Sequence, residues 1–121
     1  MKEHTKRAVA YIAFRLSTEQ EATGVYDQSA QKHFSFSGDV GPEHIAVHDQ
    51  TQGCSITGSG SANGAEVFHA GNGGQIHSDI RDDGFGGFDQ DSQSSFTGTI
   101  RDQVVVLHDL GTAKVNRYSV S

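Results

Sequence analysis

Two His-Asp pairs, His48-Asp49 and His108-Asp109, stand about sixty residues apart, each closing a run of aliphatic residues. An imidazole beside a carboxylate supplies a metal ligand with an acid to orient it, or a general base whose tautomer is held. Brought together, the four residues would form a symmetric divalent-metal or acid/base site, and a metal-dependent enzyme is the reading that follows. A plainer chemistry also fits. Aspartate opens turns by accepting the backbone amide two residues on, and histidine is tolerated on a half-wet strand face. Two more histidines, His69 and His77, flank Asn72-Gly73, a dipeptide suited to a tight hairpin. Such a hairpin sets His69 opposite Ile76 and His77 opposite Phe68, with the imidazoles on opposite sides of the sheet, so the two cannot chelate one ion. One of them then faces inward. At a barrel mouth it could meet a small-molecule ligand, alongside Tyr11 and Tyr26.

The remaining chemical signals are weaker. Cys54 is the only cysteine, which excludes an intramolecular disulfide and a thiolate metal cage and fits a half-buried structural thiol. "DIRDDGFGGFDQD" at 79–91 is rich in carboxylates and glycine, but its spacing matches no calcium loop, and solvated turns explain it. "GNGGQIH" and "GSGSANGAE" lack the lysine and the strand-to-helix transition of a phosphate cradle, and "TGSGSANG" is no nucleophile elbow. Ser17, Ser37 and Ser55 have no positional link to a base. The residues therefore favour a binding module without a catalytic centre, and no cofactor beyond a possible divalent metal.

These groups would be carried on strands. Short runs of β-branched and aromatic residues recur about every ten residues with turn residues between them, the pattern of an antiparallel barrel or sandwich. Strands are expected at 7–16, 23–28, 33–40, 44–48, 54–58, 65–70, 75–80, 85–90, 95–101, 103–108 and 114–120. The first run is ambiguous. A strand places Ala8, Ala10, Ile12, Phe14 and Leu16 on one face, whereas a helix makes a stripe of Val9, Ile12, Ala13 and Leu16. The alternation favours a strand.

The chain also repeats itself. "SFSGDVGPEHIAVHD" at 35–49 aligns with "SFTGTIRDQVVVLHD" at 95–109, matching Phe36 to Phe96, Gly38 to Gly98 and His48 to His108. Upstream, "GVYDQSAQ" at 24–31 matches "GGFDQDSQ" at 86–93. Two hairpin units, approximately 24–58 and 86–119, are expected to bury their apolar sides against each other, because a lone hairpin is marginal in water.

At 121 residues the chain makes one domain, all-β, of about eight to ten strands. Its net charge of −6, with no basic stripe, argues against nucleic acid and against an anionic membrane surface. No segment has the length of a membrane-spanning helix or the pattern of a signal peptide, so cytoplasmic residence is the default. In strand count, and in the "FTGTI" strand with its internal glycine, the chain resembles small calycin-like or streptavidin-like barrels. That resemblance implies architecture alone. Three readings follow: a non-catalytic binding module with its pocket at the barrel mouth or inter-sheet cleft, the metal enzyme, and a homo-oligomer subunit joined through an edge strand or segment 7–16.

Overall fold

The computed structural model describes residues 1–61 and 63–121, with Ser61 described by its backbone alone; Ala62 of the "TGSGSANG" stretch lies outside the described residues. One helix, α1 (Glu3–Thr18), precedes ten strands: β1 (Gly24–Asp27), β2 (Lys32–Val40), β3 (Ile45–Asp49), β4 (Cys54–Ser61), β5 (Gly64–His69), β6 (Gln75–Ile80), β7 (Gly84–Asp89), β8 (Ser94–Arg101), β9 (Val104–Asp109) and β10 (Lys114–Val120). Each strand pairs antiparallel with its sequence neighbours, and β10 closes on β1, so the sheet is a complete barrel. The all-β barrel is thus the architecture, and its ten strands fall on ten of the expected runs.

The first run is the exception. Residues 7–16 form part of a helix, because the segment is apolar in both strand phases. Val9, Tyr11 and Ala13 would have faced away from Ala8, Ala10, Ile12 and Phe14, leaving no wet side for a half-exposed strand. A helix apolar on all sides suits complete enclosure. Every residue from Thr5 to Phe14 is buried, and a helix lying on the outside of a barrel would keep one face in water. Ten strands close around a wider lumen than the eight that side chains alone fill, and a helix about 10–12 Å across occupies that space. Glu3 in the first turn and Arg15 in the last complement the helix dipole, and Glu19 ends the helix with φ 58°. No described helix is long and apolar enough to cross a membrane.

Inward residues of the wall pack on this helix. The Tyr11 ring stacks on Phe36 with centroids 4.7 Å apart. Gly38 has φ 114°, and a Cβ there would strike the Ala46 carbonyl, so the β2–β3 contact itself demands glycine. Gly98 instead makes room for the Phe85 ring.

The aligned stretches share a register: Phe36 pairs with Asp49 and Gly38 with Val47, as Phe96 pairs with Asp109 and Gly98 with Leu107. They are nevertheless not two halves packed on each other. Both are parts of one continuous wall around α1, in which five hairpins turn at the same end: β1–β2, β3–β4, β5–β6, β7–β8 and β9–β10. Four of those turns place a left-handed residue just before the returning strand, Gln31 (φ 53°), Gly53 (φ 65°), Gln93 (φ 56°) and Ala113 (φ 60°).

Candidate functional site

The five strands that enter these turns end alike. Their last residues are Asp27, Asp49, His69, Asp89 and Asp109, all buried. Each folds its side chain over its own turn. Asp27 accepts from the amides of Ser29 (3.0 Å) and Ala30 (3.2 Å), Asp49 from Gln52 (3.2 Å), Asp89 from Asp91 (3.3 Å) and Asp109 from Gly111 (3.0 Å). His69 holds the corresponding place with a nitrogen. The Gly71 amide donates to its Nδ1 at 2.9 Å, which leaves the hydrogen on Nε2, directed at Asp49 Oδ2 at 3.0 Å.

The N-terminal end of α1 meets this ring from within. The N-terminal amine of Met1 lies 2.9 Å from Asp109 Oδ2, and Lys6 Nζ lies 4.0 Å from the same atom while donating to Asn116 at 3.0 Å. The Arg7 guanidinium sits 3.7 Å above the centre of the Phe34 ring and 3.9 Å from Asp27. Asn72 donates to Asp89 at 3.0 Å and accepts from Thr5 at 3.2 Å. The buried acids thus face cations, amide donors and the positive end of the helix dipole, which offsets the cost of taking them from water.

The titration properties follow. Burial opposes ionisation of Asp49, but the His69 hydrogen bond and the Gln52 amide outweigh it and hold the carboxyl below its usual range. Asp109 is likewise lowered, burial being outweighed by the terminal ammonium and the Gly111 amide. The His4 ring lies 4.7 Å from the His69 ring and 3.1 Å from the Gly71 carbonyl, and burial, followed by the neighbouring His69, lowers its pKa. Tyr118 is buried with an unpartnered hydroxyl, and burial pushes its pKa upward.

One residue before each member of the inner ring, a planar side chain points outward: Tyr26, His48, Phe68, Phe88 and His108, all exposed. The three carbocyclic rings are 39%, 43% and 37% accessible. Across the ladder each ring faces a hydroxyl. Tyr26 stands opposite Ser119, His48 opposite Ser37 and Ser55, and Phe68 opposite Thr57. Phe88 stands opposite Ser95, and His108 opposite Thr97.

The residues singled out from sequence are therefore distributed rather than gathered. Tyr11 is sealed in the core, its hydroxyl donating to the Ala22 carbonyl at 2.5 Å, and α1 fills the barrel whose mouth or inter-sheet cleft is the expected ligand pocket. Tyr26 is on the outer wall. His69 points in and His77 points out, but the 70–74 connection shifts the register from the tight hairpin, so His77 pairs with Glu66 and Phe88. There it sits 3.1 Å from Glu66 and 3.0 Å from Asp79, beside a depression of about 240 Å³. His48 and His108 face solvent from β3 and β9, separated by three strands, while Asp49 and Asp109 face inward. Among the described residues no group of three or more His, Cys, Asp or Glu side chains is placed to hold a metal ion. Phe68 and Phe88 escaped the sequence reading. Their signal was a position just before a strand-ending Asp or His, recurring about every twenty residues. No family model, curated protein or solved structure matches this chain.

Proposed function

We propose that this chain is a non-catalytic binding module that meets its ligand on the outer wall, at the end where the five hairpins turn. The observation that carries this reading is the outer ring, in which five exposed planar side chains each stand against a serine or threonine. Occupation of the lumen by α1 supports an external site. Among the described residues the outer wall carries neither a basic stripe nor a continuous apolar band, which fits a partner that is neither nucleic acid nor bilayer.

The test is an NMR titration of the full chain with phenol, N-methylacetamide and inorganic phosphate as separate probes. Phenol and the amide are expected to move backbone resonances in 26–31, 48–53, 68–75, 88–93 and 108–113, leaving 8–14 unmoved. Perturbations concentrated in α1 would overturn the external site.

A further inference from the structure

We infer that this end of the barrel recognises neutral carbohydrate, a deepening that rests on the binding-module reading above. A pyranose presents an apolar face of C–H groups and a rim of hydroxyls. It is therefore matched by a flat ring for the face and by nearby groups that both donate and accept hydrogen bonds for the rim. The outer ring supplies the first, and the facing Ser and Thr hydroxyls begin the second. The turns complete it with six exposed glutamines, Gln28, Gln31, Gln50, Gln52, Gln90 and Gln93. A primary amide offers two donors and an acceptor without net charge.

Charge and topology exclude the competing occupants. Within the five turns only Asp91 is charged, and Lys2 pairs with it at 3.1 Å. The ring acids point inward; Lys32 stands singly at the start of β2, and Lys114 shares a depression with Arg7 that Glu3 and Asp27 also line, so among the described residues no cationic cluster free of carboxylates awaits a phosphate or sulfate. A closed barrel has no edge to accept a peptide strand. The rings are on alternate strands, about 10 Å apart at twice the strand spacing, and mostly polar residues lie between them, Ser55 and Thr57 on β4 and Gln75 and His77 on β6, with Val115 beside His108. The exposed apolar side chains at this end, the three carbocyclic rings with Leu110 and Val115, are spread around the wall, whereas a protein interface needs about 800 Å² per partner in one patch. Each ring is instead a small platform of its own. Five such platforms suit a multivalent glycan, where weak sites add through avidity.

The experiment titrates the full chain, by NMR and calorimetry, with cellohexaose, maltohexaose and chitohexaose, and with a heparin hexasaccharide as anionic control. At least one neutral sugar is expected to shift the Phe68 and Phe88 ring signals and the glutamine side-chain amides, with Kd on the order of 1 mM per site. Phe68→Ser with Phe88→Ser should weaken binding by at least about tenfold, since one lost stacking contact alone is worth that much. The pair Thr57→Val and Ser95→Ala removes only the facing hydroxyls and should weaken it by a few-fold, with Tm unchanged. If none of the neutral sugars binds while phenol still moves the outer-ring resonances, the carbohydrate class is wrong and the external site stands. Stronger binding of heparin, or unchanged sugar affinity in both variants, would also overturn it.

Discussion

Asp49 and Asp82 are the same residue type at opposite ends of one barrel, and they occupy different solvents. Asp49 is buried, bonded to His69 and to its own turn, whereas Asp82 lies exposed in the 81–83 connection. The contrast holds for the ends as wholes. Where the five hairpins turn, Asp27, Asp49, Asp89 and Asp109 point inward and the surface is left nearly neutral. At the other end Glu19, Glu21, Asp39, Glu43, Asp82, Asp83 and Asp102 are all exposed, so much of the chain's negative charge lies there in water. Acidic composition therefore serves two purposes in one molecule. The inward carboxylates shape turns and dock α1, and the outward ones solvate the far end.

Exchanging a carboxylate for a methyl at each end tests that contrast most sharply. Asp49→Ala leaves the His69 Nε2–H unpaired in the interior and releases the Gln52 amide of the turn, and is expected to cost about 3 kcal/mol, a fall in Tm of roughly 10 °C by calorimetry. Asp82→Ala should leave Tm within measurement error. Equal effects at the two ends would remove the distinction. Asp49→Asn should restore only part of the loss, since one of the two donors, the His69 N–H or the Gln52 amide, then faces the Asn NH2 group.

Acid should act on the hairpin-turn end first. His4 has its pKa lowered in the folded state, so the unfolded chain takes up the proton more readily. Stability is then lost as pH falls from 6.5 toward the lowered value. Asp49 and Asp109, also lowered, contribute stability that is complete above 3.8 and lost as pH falls below it through their folded values. Urea unfolding across pH should show both steps, and His4→Gln should remove the upper one. An acid profile with no step below pH 6.5 that His4→Gln removes would contradict the placement of His4.

The smallest effect has the opposite sign. Tyr118→Phe removes an unpartnered buried hydroxyl and should leave stability unchanged or raise it by up to about 1 kcal/mol. A loss of more than that would show that the hydroxyl has a partner, and equilibrium denaturation measures it directly.

Much of the wall was legible because strands and turns are local. Phe36-Gly38-Val40 and Val105-Leu107 alternate with a period of two, and aspartate followed by glutamine or leucine marks each turn except the third. The ring was half legible. His48, His108 and Tyr26 drew notice for their chemistry, but as metal ligands or pocket contacts, because the sequence does not say which face of a strand looks outward once the sheet closes. His69 was harder still: it takes an aspartate's place in the repeat with a different functional group, which hides the recurrence about every twenty residues.

Residue order alone determined the ten β runs, their antiparallel pairing through short connections, and the end at which carboxylates meet turns. Those features depend on contacts between near neighbours in the chain. Only the closed tertiary structure decided that residues 3–18 are a helix and that Asp27, Asp49, Asp89 and Asp109 are dry. A stretch such as 8–14, apolar on every side, is stable only when something surrounds it, and a carboxylate becomes buried only when a distant cation, donor or dipole arrives to compensate it. Both conditions are met when β10 closes on β1 around α1.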